Sequence, residues 1–135
     1  MIVDTSALLA FFDRAEPEHL AVSVALEASN SPLVISPYVL AEVDYLVSTR
    51  HGLQAELAVL DELTGGAWEL VGLERTDVRA ARDIIARYSD QRIGLADASM
   101  VVLAERFGTR TIATLDKRHF GVLRASTGEA FTIVP

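Results

Sequence analysis

Four carboxylates draw attention because of what surrounds them. Asp4 follows the β-branched pair Ile2-Val3 and opens the run Thr5-Ser6-Ala7-Leu8-Leu9-Ala10. Glu42 lies in Tyr38-Val39-Leu40-Ala41-Glu42-Val43, Asp97 in Ile93-Gly94-Leu95-Ala96-Asp97-Ala98-Ser99-Met100, and Asp116 in Thr114-Leu115-Asp116-Lys117. A carboxylate on a buried apolar helix is costly unless it is paired or bound to a cation. Asp97 is the sharper case. Three and four positions from it stand Ile93, Gly94, Met100 and Val101, so an in-helix ion pair is absent; an arginine from elsewhere, Arg92 or Arg118, is the structural alternative. Taken alone, Asp4 reads first as a loop or capping carboxylate, and Asp116 as a turn residue. Together, several carboxylates in one crevice repel each other, and hard divalent cations with oxygen ligands relieve that repulsion. Such an ion lowers the pKa of bound water and orients it for in-line attack on a phosphodiester. Asp44, two residues after Glu42, points away from it and reads as a surface or structural acid.

The elements that must position these acids alternate between strand and helix. Ile2-Val3 is a short strand, followed by a helix over Ala7–Phe12 and another over Glu16–Ala28 with Pro17 in its first turn. Leu33–Ile35 is a buried-strand candidate, and Ser36-Pro37 reads as N-cap and N1 of a helix running to about Arg50. Gly52 ends it. Leu53–Leu63 is the next helix, Trp68–Leu73 a strand, and Thr76-Asp77 caps a helix through about Tyr88. Gly94–Phe107 is an alanine-rich helix, and Thr111–Ala113 and Phe131–Val134 are strands. That order predicts an α/β fold, a mostly parallel sheet sandwiched by helices. Ligands in such sheets bind beyond the carboxyl ends of the strands, where Asp4 and Asp116 fall.

Composition sets the limits. At 135 residues the chain fits one domain. It has no cysteine, so any metal is held by oxygen or histidine. A signal peptide and a membrane-length apolar run are both absent, which predicts a cytoplasmic protein. The net charge of −7 opposes a broadly basic nucleic-acid surface. Setting the four acids aside leaves 15 of the 19 acids against 12 bases, a net of −3. The segment after Val101 also keeps Arg106, Arg110, Lys117, Arg118 and Arg124, enough for a local basic rim. Mean hydropathy is +0.29, and the surplus apolar surface suits a dense core and a subunit interface.

The four motifs together closely resemble the PIN-domain nucleases, and within them the VapC toxins of VapBC toxin–antitoxin pairs. Met1-Ile2-Val3-Asp4-Thr5-Ser6 is similar to the family's N-terminal signature, and Ser36-Pro37-Tyr38-Val39-Leu40-Ala41-Glu42 to the helix bearing its glutamate. Gly94-Leu95-Ala96-Asp97-Ala98 resembles the third acidic motif, and Thr114-Leu115-Asp116-Lys117-Arg118-His119-Phe120 the fourth. The resemblance implies a PIN fold and a Mg²⁺-dependent ribonuclease, with Mn²⁺ as the alternative ion, acting on single-stranded or looped tRNA or rRNA. It implies Asp4 and Asp97 as principal ligands, Asp116 completing the pocket, and Glu42 binding metal or positioning water. Thr5, Ser6 and Thr114 would hold the carboxylates in place. A homodimer and a small VapB-like antitoxin are implied as well, the latter covering an apolar groove that Phe11, Phe12 and Tyr38 would line. Arg92, Lys117, Arg118 and His119 are candidates for substrate phosphates, and His119 alternatively for proton transfer. Two other readings compete: a PIN nuclease of RNA processing, and a receiver-like Mg²⁺-binding signalling domain. The latter wants adjacent acids after the first strand and a phosphoacceptor at a strand end, whereas Glu42 and Asp97 fall on predicted helices.

Overall fold

Five short strands form one wholly parallel sheet in the order β3-β2-β1-β4-β5 in the computed structural model, which describes residues 1–135. They are β1 (Ile2–Val3), β2 (Leu33–Ile35), β3 (Trp68–Leu70), β4 (Thr111–Ala113) and β5 (Thr132–Val134). Parallel neighbours cannot be joined by tight hairpins, so the chain between them runs through helical crossovers. These are α1 (Thr5–Phe12) and α2 (His19–Glu27), then α3 (Pro37–His51) and α4 (Leu53–Thr64), then α5 (Arg75–Arg87) and α6 (Leu95–Arg106). A last short helix, α7 (Lys117–Val122), precedes β5.

The central strands are buried on both faces, as sheets covered by crossover helices require. Ile2, Val3, Val34 and Ile112 are fully buried and form the core with Leu8, Val39, Met100 and Leu103. Register follows: Ile2 pairs with Val34 on one side and with Ile112 on the other. Strand β1 is therefore the centre of the sheet, and connections leave it toward opposite edges. At this reversal two adjacent strand ends open a crevice, the usual ligand position in open α/β sheets. Asp4 leaves β1 at this point, its amide bonded to the Ala113 carbonyl of β4 at 2.9 Å.

Several local boundaries depart from expectation, beginning with α1, which starts at Thr5 rather than Ala7. Pro17 lies in the turn before α2 rather than in its first turn, since the helix begins at His19. The third strand stops at Leu70. Asp77 is not the N-cap of α5: Glu74 is, and Asp77 reaches back to accept its amide at 2.9 Å. Finally, Asp116 opens the helix α7 where a simple turn is the local reading; its Oδ1 accepts the amides of Arg118 and His119. Gly52 fits its prediction, joining α3 to α4 at φ 81°, in the left-handed region that side chains disfavour. No helix is long and apolar enough to cross a membrane.

Candidate active site

Each of the four acids is delivered by a different element. Asp4 follows β1, Glu42 rides on α3, Asp97 is in the first turn of α6, and Asp116 caps α7. One cleft at the carboxyl end of the sheet is lined by all four, with Thr5, Ser6, Leu9, Tyr38, Gly94, Leu95, Ala96 and His119.

Asp4 is the most enclosed, at 8% exposure. It occupies the N-cap position of α1, yet its side chain does not cap that helix. Instead Oδ2 accepts the hydroxyls of Ser6 and Thr114, each at 2.7 Å. Proton counting assigns the rest of the cluster. With both hydroxyl protons spent on Asp4, the 3.2 Å approach of Ser6 to Thr114 carries no proton of its own. The two oxygens accept backbone amides: Ser6 that of Leu115 at 2.9 Å, Thr114 that of Asp116 at 3.0 Å. The loop after β4 is thus pinned to Asp4 and to the first turn of α1.

Glu42 corrects an expectation. It is exposed rather than buried in its helix, so the cost of burial does not explain it. What restrains it is Thr5, whose Oγ1 donates to Oε2 at 2.7 Å. Asp44 faces Glu56 on α4 instead of the cleft.

Asp97 has no arginine partner. Its Oδ2 accepts the Gly94 amide at 3.2 Å and stands 3.4 Å from Nδ1 of His119. The same Nδ1 is 3.4 Å from Oδ2 of Asp116. Burial pushes the Asp97 carboxyl above the ordinary aspartate range; the Gly94 amide and the His119 ring oppose this, while Asp4 and Asp116 add to it.

The sign of the consequence for stability is fixed. With a raised folded-state pKa, the native chain holds the Asp97 proton more tightly than the unfolded chain does. Without metal, stability is then lost as pH rises from the ordinary value of 3.8 through the raised one. In chelator at pH 7, Asp97→Asn is accordingly expected to melt at or above the wild type, with the gap narrowing as pH is lowered. Thermal melts across pH check this; a variant that melts lower at pH 7 refutes it.

The donor set fits a hard divalent ion. Protein donors hold Oδ2 of Asp4, Oε2 of Glu42 and Oδ2 of Asp97, while Oδ1 of Asp4, Oε1 of Glu42 and Oδ1 of Asp97 accept no protein hydrogen bond. One oxygen of each group sets the rotamer and the other is free for a cation or its waters. No three of these groups already stand at metal-ligating geometry, and Mg²⁺ does not need them to, since it uses one or two carboxylates and keeps several waters.

The remaining candidates fall elsewhere. Arg92, Lys117 and Arg118 are exposed and none lines the cleft; Arg92 has a φ of 54°. Tyr38 lines the acidic cleft rather than the apolar groove of Phe11 and Phe12. His119 was legible as a basic residue, but its place between two acids depends on α7 being helical. Ser36 and Ser99, buried between α3 and α6, gave no signal beyond the N-cap pattern of Ser36.

Comparison with known proteins identifies the family and the fold. The sequence matches the PIN domain family over residues 1–124. It is 59% identical over 135 residues to Ribonuclease VapC26 of Mycobacterium tuberculosis, covering 100% of both chains. Among solved structures, Mycobacterium tuberculosis VapC20, a sarcin–ricin loop cleaving toxin, superposes with a TM-score of 0.83 at 17% identity, over 99% of this chain and 98% of that one. VapBC2 from Rickettsia felis, bound to a promoter DNA fragment, gives a TM-score of 0.74 at 17% identity, again over 99% and 98%. At such identities the structural likeness speaks for the fold.

Proposed function

The chain belongs to the PIN-domain family, and from that premise we propose that it is the ribonuclease toxin of a VapBC-type toxin–antitoxin pair, one PIN domain over residues 1–135 that cuts looped tRNA or rRNA with a divalent cation. The observation that carries this is the convergence of four acids from distant parts of the chain on one cleft, most with one oxygen fixed and one free. The 59% identity to a ribonuclease supports the same reading.

Asp4 and Asp97 are the principal ligands, Asp116 completes the pocket, and Glu42 either binds the ion or orients the attacking water through its free oxygen. Thr5, Ser6 and Thr114 hold those carboxylates. Bound Mg²⁺, or Mn²⁺ in its place, supplies Lewis acidity and a water of lowered pKa, and offsets the charge that would repel a phosphodiester. Arg92, Lys117 and Arg118 are assigned to phosphates outside the cleft, with Lys117 and Arg118 in the turn that Asp116 opens. His119 offsets part of the repulsion between Asp97 and Asp116. With RNA as substrate the compartment is the cytoplasm.

The test is direct. Total cellular RNA incubated with the purified chain and Mg²⁺ is expected to show a small set of new ends at loops. Chelator should abolish them and added Mg²⁺ restore them. Cutting that persists in chelator sinks the mechanism; the positions of the ends distinguish tRNA from rRNA.

A small VapB-like antitoxin is the proposed partner, and the family likeness also supports a homodimer. An apolar groove beside α1 is lined by Phe11, Phe12, Leu20, Val24, Ala58 and Val59. Leu20 is 72% and Val24 59% exposed, a large apolar surface to leave in water. Leu20→Glu is expected to weaken antitoxin binding about tenfold or more, since a charge must then be desolvated in the groove, while RNA cleavage by the free toxin is unchanged. Titration calorimetry with the VapB-like antitoxin that co-purifies with the chain checks it, and wild-type affinity would place the partner elsewhere.

A further inference from the structure

We infer that Ser36 and Ser99 are a positioning pair, a buried hydroxyl relay that holds α3, the helix of Glu42, in fixed register against α6, the helix of Asp97. The inference rests on the reading of those acids as parts of one metal centre. Both serines are 0% exposed, and their Oγ atoms lie 2.6 Å apart. Neither lines the cleft.

The direction of the relay follows from its protons. Ser99 Oγ donates to the Ala96 carbonyl at 2.6 Å. A hydroxyl has one proton, so the proton between the two serines comes from Ser36. Ser36 Oγ in turn accepts the Tyr38 amide at 3.3 Å. The chain therefore runs one way, from the first turn of α3, through two hydroxyls, to the carbonyl of the residue directly before Asp97. It joins positions 63 apart in sequence.

Its flanking residues, Val39, Ala98 and Met100, are buried and apolar. Hydrophobic packing is non-directional, whereas a hydrogen bond fixes distance and angle. The bond between the two serines is itself a weak source of stability: replacing both partners by apolar groups is often close to neutral, while stranding one is costly; the cap that Ser36 gives the Tyr38 amide is separate and is lost equally in Ser36→Ala and the double variant. The contribution of the pair is then geometric. It sets where Asp97 and Glu42 stand relative to each other, so that both can serve one ion.

That separation of stability from geometry is testable in the full chain. Ser36→Ala, Ser99→Ala and the double variant are compared by melting temperature, by Mn²⁺ affinity from electron paramagnetic resonance of the free ion, and by kcat and KM on RNA. Each variant is expected to lose about tenfold in Mn²⁺ affinity, the lower end of the range for groups bonded directly to metal ligands, because the serines act through the backbone at Ala96 and Tyr38. The loss in kcat should be similar, with KM unchanged. The double variant should melt no lower than the worse single one, because no hydroxyl is stranded, yet its Mn²⁺ affinity should not recover. Recovery to within about twofold of wild type in the double variant, or retained affinity in Ser99→Ala, overturns the proposal and leaves the serines as packing. Wild-type chain that binds Mn²⁺, with the binding weakened in the serine variants, but cuts no RNA overturns the nuclease reading alone. A wild-type chain that binds no Mn²⁺ overturns both.

Discussion

Asp97→Asn is expected to fold normally and to cut RNA at least about a thousandfold more slowly than the wild type. A bound ion is worth several kcal/mol of transition-state stabilisation, and about 4 kcal/mol corresponds to a factor of a thousand. The substitution is nearly isosteric. The Asn carbonyl can still accept the Gly94 amide that Asp97 holds at 3.2 Å, so the start of α6 is preserved. What disappears is the charge, together with its repulsion from Asp4 and Asp116. Activity and metal-free stability should therefore move in opposite directions, which a general packing defect does not produce. Single-turnover cleavage with saturating Mg²⁺, alongside circular dichroism, measures both. Cleavage within tenfold of wild type removes Asp97 from the centre and with it the mechanism proposed here.

Thr114→Val should lose about 10–100-fold in activity, the range for partners that orient metal ligands, and roughly 1–3 kcal/mol of stability from stranded polar groups. Thr114 is 0% exposed, and Val has its shape without its hydroxyl. Oδ2 of Asp4 then keeps a single hydroxyl donor, Ser6, and the Asp116 amide loses its acceptor. Two of the four acids are loosened by one atom. Thr114→Ser keeps the hydroxyl and should retain most activity. Mn²⁺ affinity and kcat for the two variants decide the matter: a fully active Val variant would mean that Ser6 alone suffices.

The first helix, expected over Ala7–Phe12 and found over Thr5–Phe12, the capped helix after Ser36 and the strand at Thr111–Ala113 were readable locally, because periodicity and capping involve residues a few positions apart. The acids were readable for a related reason. An unpaired carboxylate among apolar neighbours is conspicuous, as Asp97 is, although the same argument misjudged Glu42, which is exposed. Helix α7 escaped because Thr114-Leu115-Asp116 reads equally as a turn, and with it went the position of His119.

Sequence alone thus determined which side chains were available, the alternating order of strands and helices, and a chemistry restricted to oxygen and histidine donors. Only the tertiary structure decided which oxygens are held and which are free, that one imidazole stands between Asp97 and Asp116, that Tyr38 belongs to the acidic cleft, and that the three candidate cations lie outside it. The reason is distance along the chain. Thr114 meets Asp4 across 110 positions, and no local rule acts over such a span. Strand order brings them together: β1 and β4 are neighbours at the point where the crossovers reverse, and their ends must share one crevice.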